Sequence, residues 1–303
     1  MSFTLAHLSD VHLAHLKKRM VLQRFQGKRV IGAFSWFLNR RGLHRQNVAD
    51  AIQASILQAT PDHVALTGDL VNIAAWPEFI EAAKWVERFG PPDRLSIVPG
   101  NHDAYVLVPW NEGLAKFAPW MTSDRQVTTG TLDRFPYVRM RRTTALIGVN
   151  SGLPQGYRLA AGTLGEQQLR DLRILLAQLG QQGFYRVVMI HHPPLPGLSV
   201  ARKALTDAAD LKAVLSEEGC ELVLHGHNHY TMLNWLDTKS GPAPIIGVPS
   251  ASSRGDAKHE PAGWNLFHIR RQQGRWITDM TPHRWNAKSE RVEGQPTVTL
   301  SPP

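Results

Sequence analysis

Short apolar runs recur along the chain, and they alternate with longer stretches in which apolar residues return every three or four positions. Runs of four to eight residues bounded by Gly, Pro, Asn or Asp are typical of strands, and the longer period is typical of amphipathic helices. The pattern predicts strands at residues 3–8, 63–67, 95–98, 186–190 and 222–224. It predicts helices at residues 47–58, 77–89, 165–179 and 206–216. Strands that alternate with helices indicate a layered α/β fold.

The second half of the chain adds strand-like segments with the spacing of hairpins. Residues 137–150 predict a strand pair with a turn near 141–143, and further strands are predicted at residues 230–237, 244–248, 264–270 and 275–280. Hairpins pair their strands antiparallel, so we expect mixed sheets. No change in composition marks a second domain. We therefore expect one domain over residues 1–285 and an irregular, polar, Pro-rich tail over residues 286–303.

Side chains of the metal-ligand type follow five of the predicted strands directly. They are Asp10 and His12, Asp69, Asn101 and His102, His191, and His227 and His229. In α/β sheets the loops at the carboxyl ends of strands converge on one crevice. If these strands are neighbours, the side chains meet there.

The donor types predict two metal ions. Leaving His102 aside, the set has three oxygen donors and four imidazoles, which is too many for one tetrahedral zinc ion. Mixed carboxylate and imidazole donors suit Mn²⁺, Fe²⁺ or Zn²⁺, and two such ions can clamp a phosphoryl group. Each motif alone is common in turns, but the ordered set, each member after a strand, favours a dinuclear centre.

These motifs resemble those of the calcineurin-like metallophosphoesterase superfamily, whose pattern D-x-H, G-D, G-N-H-[DE], H and G-H-x-H is filled here in order between residues 8 and 229. The resemblance implies a β-sandwich of mixed sheets flanked by helices, with the site at its mouth. It implies a first metal bound by Asp10, His12, Asp69 and His229. It implies a second metal bound by Asp69, Asn101, His191 and His227. It also implies that His102 is catalytic, and that a hydroxide bridging the metals attacks phosphorus in line.

One departure narrows the resemblance. The protein phosphatase branch has an Asp three residues after the Gly-Asp carboxylate, where this chain has Asn72. The stretches TGDLVN, VPGNHDAY, HHPPLP and HGHNH are instead similar to the bacterial class III cyclic nucleotide phosphodiesterase and glycerophosphodiesterase branch. That similarity implies a small phosphodiester substrate. We take Asn72, Asp103, His192 and His225 as candidates for supporting contacts around the ligands.

A basic, partly apolar insertion occupies residues 16–45. It contains nine Lys or Arg and no acid, which equals the net charge of +9 of the whole chain. Such a charge favours an anionic partner, and the apolar run at 30–38 between cations is typical of an interfacial helix. Three interpretations remain open: packing on the domain, a substrate cap, or contact with an anionic membrane. Arg19 and Arg41 are candidate substrate contacts.

The predicted function is hydrolysis of a phosphodiester, with a phosphorylated small molecule as the partner. A lipid-phosphate or nucleotide-lipid pyrophosphate hydrolase at a membrane surface is the main alternative. A non-catalytic module is disfavoured by the complete ligand set, and a nuclease by the lack of basic-aromatic stretches beyond the insertion. No signal peptide or membrane span is evident, so we expect a cytoplasmic protein that can contact the membrane peripherally. The substrate, the metal pair and the oligomeric state stay open.

Overall fold

The computed structural model of the chain describes residues 2–13, 42–124, 135–156 and 159–302. Its first sheet has seven strands: β1 (Ser2–Leu8), β2 (His63–Leu66), β3 (Leu95–Ile97), β10 (Gly263–Gln272), β11 (Arg275–Asn286), β12 (Arg291–Gly294) and β13 (Val298–Thr299). Their order is β12-β11-β10-β1-β2-β3, with β13 also paired to β11. β1, β2 and β3 run parallel, and the remaining pairs are antiparallel.

The second sheet has six strands: β4 (Tyr137–Arg141), β5 (Thr144–Gly148), β6 (Tyr185–Met189), β7 (Leu222–His225), β8 (Met232–Leu236) and β9 (Ala243–Gly247). Their order is β4-β5-β6-β7-β9-β8. The inner strands β5, β6, β7 and β9 run parallel, and the two outer strands pair antiparallel. The expectation of mixed sheets is therefore confirmed.

In the described part of the chain, four helices cover the two sheets: α1 (Gln46–Ala59), α2 (Trp76–Glu87), α3 (Gly165–Gln181) and α4 (Ala208–Glu218). Apolar residues of both sheets form one buried core together with residues of α1 and α2. A second core joins the outer face of the six-stranded sheet to α3 and α4. Helices flanking a sandwich of mixed sheets match the predicted fold class.

The apolar period of α3 shows how the sequence produces this packing. Leu172, Leu176 and Leu179 lie on its buried face, where they join the second core. The Asp207 carboxylate, just before α4, accepts hydrogen bonds from the backbone N–H groups of Leu164 and Gly165 at 2.9 and 2.8 Å. It thus satisfies donors at the start of α3 that have no partner within the helix.

The C-terminal tail is more regular than expected. The prediction of an irregular segment over residues 286–303 is wrong, because residues 291–294 and 298–299 form β12 and β13 on β11. The pairing is carried by polar contacts, such as the hydrogen bond from the Thr299 hydroxyl to Asp279 at 2.7 Å. Polar strands of this kind lack the alternation on which a sequence prediction depends.

Most of the basic insertion, residues 14–41, lies outside the described residues, and so do Arg19, Arg41 and the apolar run at 30–38. Among the described residues, no helix combines the length and apolar character that a membrane crossing would require.

Candidate metal centre

The five predicted loops meet at one end of the sandwich. Those that follow β1, β2 and β3 belong to the first sheet, and those that follow β6 and β7 belong to the second. Two hydrogen bonds join the loops across the sheets: the His191 ring nitrogen Nδ1 to the Thr67 carbonyl at 2.7 Å, and the His227 N–H to the Asp10 carboxylate at 2.9 Å. The crevice expected at the carboxyl ends of the strands is therefore present.

A first donor cluster contains Asp10, His12, Asp69 and His229. One ligand atom from each lies within 4.8 Å of the others. The His229 Nε2 atom is 3.1 Å from the Asp10 Oδ1 atom and 3.3 Å from the His12 Nε2 atom. The His12 Nε2 atom is 3.7 Å from the Asp69 Oδ2 atom. Ligands about 2.1 Å from a shared ion stand roughly 3–4 Å apart, so the spacing suits one metal ion.

A second donor cluster forms around His191. Its Nε2 atom lies 3.4 Å from Asp69 Oδ2, 3.1 Å from Asn101 Oδ1 and 3.2 Å from His227 Nδ1. The other ring nitrogen of His191 donates to a carbonyl, so in the neutral ring Nε2 carries a lone pair that faces acceptors. Such a set needs a cation, either a proton or a metal ion. Asp69 is the residue common to both clusters.

The protonation states of the ligand residues depend on their burial and on the charges of neighbouring ligands. Burial raises the pKa of the Asp69 carboxyl, but the neighbouring histidines, His191 foremost, together hold it well below its usual range. Burial lowers the pKa of His12 and of His227, so both rings are neutral, as metal ligands must be. For His191, burial opposes the charged ring, but the Asp69 carboxylate prevails and raises the pKa to about 9.

The backbone is strained at the same positions. Ten non-glycine residues of the described chain have a positive φ, and five of them belong to the clusters: Asp10, His12, Asp69, His227 and His229. This conformation is uncommon outside glycine, and its cost is usually tolerated where function requires a particular geometry. The concentration of strain here supports a functional role for the clusters.

The glycine of the last motif is required by close contact. A Cβ atom at Gly226 would collide with the Ser9 hydroxyl and the Asp10 carboxylate. Because Gly226 has no side chain, the loop after β7 can lie directly against the loop after β1. This contact brings His227 and His229 to the two clusters.

His102 is half-buried beside the first cluster. Its ring centroid lies 4.9 Å from that of His12, and it stacks on Tyr105 at 5.6 Å. The backbone N–H of His102 donates to Asp69 Oδ1 at 2.7 Å. The ring Nδ1 atom lies 2.5 Å from the Asn72 carbonyl oxygen. That carbonyl fixes a tautomer with Nδ1 protonated. The Asn72 side chain instead donates to the Leu13 carbonyl at 2.9 Å.

Asp103 anchors two of the ligand loops. Its buried carboxylate accepts hydrogen bonds from four backbone N–H groups at 2.8–3.1 Å, those of Asp69, Leu70, Val71 and Gly100. Glu78 acts similarly on the next residues and accepts from the N–H groups of Asn72 and Ile73 at 2.9 and 3.1 Å. Sequence reasoning missed Glu78, although its position three residues into a helix is typical of a capping glutamate.

The two remaining candidate histidines are buried and belong to neither donor cluster, although the His192 ring packs against that of His227 with centroids 4.4 Å apart. The His192 ring contacts the Ser151 hydroxyl at 2.8 Å and the Ala160 carbonyl at 3.1 Å. The His225 Nδ1 atom lies 3.1 Å from the Gly226 carbonyl oxygen. Sequence reasoning also missed His44, which lies at the end of the insertion and whose ring is 4.6 Å from that of His12.

Comparisons with known proteins identify a family and a relative of this chain. Residues 3–231 match the family model described as calcineurin-like phosphoesterase. The chain is 24% identical over 247 residues to a Synechococcus sp. protein named "Probable cyclic nucleotide phosphodiesterase", covering 78% of this chain and 84% of that one.

Solved structures share the fold at low identity. A dimetal phosphatase from Danio rerio has a TM-score of 0.64 and 16% identity, covering 99% of each chain. The NAD nucleotidase of Haemophilus influenzae has a TM-score of 0.50 and 12% identity, covering 98% of this chain and 54% of that one. With a family model that spans most of its length and the matching fold, the chain belongs to the calcineurin-like phosphoesterase family.

Proposed function

We propose that this chain is a dinuclear-metal-dependent phosphodiesterase that hydrolyses a small phosphodiester, such as a cyclic nucleotide. One observation carries the proposal: two adjacent donor clusters share the buried carboxylate of Asp69. One cluster adds Asp10, His12 and His229, and the other adds Asn101, His191 and His227. Carboxylate, amide and imidazole donors fit Mn²⁺, Fe²⁺ or Zn²⁺.

The metal ligands, His102 and Tyr105 would have different roles in the reaction. Two ions held there would supply a nucleophile from water at neutral pH and neutralise phosphoryl charge. His102, with Nδ1 bound to the Asn72 carbonyl, would act on the leaving oxygen through Nε2 as a general acid. Stacking on Tyr105 holds the ring plane, and burial of the ligands limits the access of water.

Two facts support a diester as the substrate. The Synechococcus relative is named for cyclic nucleotide hydrolysis. In addition, the His102 ring is held by a backbone carbonyl and not by the side chain at position 72, so the chain departs from the protein phosphatase pattern at the position where that branch has an Asp.

Metal analysis and a model diester test the proposal together. Purified protein should contain, or regain from Mn²⁺, two ions per chain, and should hydrolyse bis(p-nitrophenyl) phosphate. A screen of cyclic nucleotides and glycerophosphodiesters against monoesters would then define the substrate. Protein that binds no transition metal and gains no diesterase activity from Mn²⁺, Fe²⁺ or Zn²⁺ would rule out the proposed chemistry.

A second candidate is hydrolysis of a lipid-phosphate or nucleotide-lipid pyrophosphate at an anionic membrane. Four large apolar side chains on segments that follow the ligand motifs are exposed: Trp76 at 52%, Leu107 at 86%, Val200 at 61% and Tyr230 at 43%. The insertion that leaves the same end of the fold carries nine cations. A basic segment together with exposed apolar side chains favours binding to anionic bilayers.

Liposome flotation separates the two substrates. The second candidate requires flotation with vesicles that contain anionic lipid, and loss of flotation when residues 17–41 are deleted. A full chain that stays in the soluble fraction at low salt, and hydrolyses small diesters equally well without residues 17–41, leaves the small-diester proposal in place.

A further inference from the structure

The C-terminal end of the basic insertion returns to the first donor cluster at His44. His44 is buried, with 1% of its surface exposed, and it forms an antiparallel bridge with Ser253. Its neighbours are held on the same loop: the Arg45 N–H donates to the Ser252 carbonyl and the Arg254 N–H to the Leu43 carbonyl, both at 2.9 Å. The backbone around His44 is therefore fixed by the loop that follows β9.

The His44 ring completes a group of three imidazoles. Its centroid lies 4.6 Å from that of His12 and 5.6 Å from that of His229, and the His12 and His229 centroids are 5.1 Å apart. One ring nitrogen from each of the three lies within 4.8 Å of the other two. The spacing of His44 from the two ligands of the first cluster is thus close to their spacing from each other.

Two hydroxyl groups behind His44 contact its Nδ1 atom. The His44 Nδ1 atom lies 2.8 Å from the Ser252 hydroxyl oxygen and 3.4 Å from that of Ser250. Ser250 donates its own hydrogen to the Asp10 carbonyl at 2.6 Å, so its oxygen can only accept. An N–H at Nδ1 satisfies both hydroxyl oxygens, and it leaves the lone pair on Nε2.

We infer that His44 is a third imidazole ligand of the first metal ion. His44 groups with His12 and His229 but not with Asp10 and Asp69, so its ring must move towards the carboxylates when the ion binds. A histidine that binds a metal through one ring nitrogen usually donates its other N–H to a fixed acceptor, which is the part that Ser252 takes here. Binding a shared ion would draw the three nitrogens from their spacing of up to 4.8 Å to the roughly 3–4 Å of a common coordination shell. The inference rests on the proposed dinuclear centre, because it adds a ligand to it.

An added imidazole changes the first site in a defined way. Five protein donors leave one place in an octahedral shell, and a third nitrogen shifts the preference from Mg²⁺ towards Fe²⁺, Co²⁺ and Zn²⁺. It also ties the insertion to the metal, since His44 is the last but one residue of segment 16–45.

Metal titration of His44→Ala and His44→Asn tests the inference. We expect each variant to keep one tight site and to bind the second ion at least about 100-fold more weakly, measured by calorimetry and by metal content after dialysis. Ser252→Ala should weaken the same site by roughly 10–100-fold. Cobalt-loaded wild-type protein should show a visible absorption band that changes in the His44 variants.

The matched control is His63→Asn. His63 is also buried and contacts a serine hydroxyl, that of Ser96, at 2.8 Å, but it lies at the start of β2, at the opposite end of that strand from Asp69. It should bind both ions as the wild type does. Urea unfolding of the metal-free variants verifies that each is folded before titration.

Two results would overturn the inference. His44 variants that bind both ions with wild-type affinity would show that His44 is no ligand. The same would follow if the variants kept both ions and the wild-type cobalt spectrum but bound inorganic phosphate more weakly, because His44 would then contact substrate. If wild-type protein binds no metal, the proposed function fails first, and that outcome is distinct from both.

Discussion

The metal-free protein should lose stability as the pH rises, because a proton on His191 occupies the place of a metal ion. The His191 Nε2 atom faces Asp69 at 3.4 Å and Asn101 at 3.1 Å. Burial alone would lower the pKa of this ring, but the Asp69 carboxylate raises it to about 9. The folded, metal-free protein therefore binds this proton more tightly than the unfolded chain does.

The size of the effect follows from the change in pKa. A rise from the ordinary histidine value of 6.5 to about 9 corresponds to about 3 kcal/mol of unfolding free energy. Because the folded pKa is the higher one, this stabilisation is fully present below about pH 6.5. It is lost progressively as the pH rises through about 9.

Asp69→Asn isolates the interaction. In the wild type, the backbone N–H of His102 donates to Asp69 Oδ1 at 2.7 Å, and the amide oxygen of the variant can accept the same hydrogen bond. Asn also tolerates the φ of 55° at this position. The charge that holds the proton is removed, so burial should lower the His191 pKa. We expect the wild type to lose about 3 kcal/mol between about pH 6 and pH 9.5, and the variant to lose less than about 1.

Urea unfolding in the presence of a chelator measures this difference, provided that the slope with denaturant stays constant. Asp207→Asn is the control: it makes the same chemical change at the start of α3, where one carboxylate oxygen accepts from the N–H groups of Leu164 and Gly165. It should retain the pH dependence of the wild type. If Asp69→Asn also retained it, the assignment of the proton to His191 and Asp69 would be refuted.

Three further substitutions probe other parts of the site. His102→Ala should lower diester turnover roughly 10²–10⁴-fold with unchanged metal content by mass spectrometry; loss of metal would instead make His102 a ligand. Asp103→Ala leaves four backbone donors without their acceptor. It should reduce the unfolding free energy by about 1–3 kcal/mol for each donor that water does not reach. A total change under about 1 kcal/mol in urea unfolding would contradict this. Gly226→Ala should abolish metal binding in calorimetry, because its Cβ would meet Asp10; Gly42→Ala, where nothing lies within 4 Å, should bind normally.

The position of the ligand loops could be predicted because strands impose direction. Neighbouring parallel strands end at the same edge of the sheet, so the residues that follow them lie close together. Once β1, β2 and β3 were recognised, Asp10, Asp69 and Asn101 were expected at one edge. The lone pairs of His191 and His227 reach the same edge from the second sheet. The strands that precede the ligand loops are only three to seven residues long. Apolar runs of this length were sufficient to predict where the loops lie.

Other features depend on contacts that leave no local pattern. His44 and Ser252 are separated by 208 positions, and a single histidine after a basic stretch has no motif of its own. Asn72 acts on His102 through its backbone carbonyl, so the identity of its side chain says nothing about the contact. The terminal strands lie in a polar segment that resembles a loop in sequence, and contacts such as that between the Thr281 and Thr297 hydroxyls at 2.7 Å accompany their pairing with β11.

The electrostatics of the clusters and the charge of the insertion bear on the same step. The shared Asp69 carboxylate is paired with a proton in the metal-free protein and with metal ions when they bind. The site therefore gains positive charge only when metal ions bind. The nine cations of segment 16–45 are independent of loading, but the segment ends at His44, beside His12. If His44 binds the first ion, the metal is linked directly to the end of this segment, whose charge would favour an anionic substrate. Substrate attraction and metal loading would then be coupled, and Ser252→Ala, which removes the 2.8 Å hydroxyl contact of His44, should weaken both.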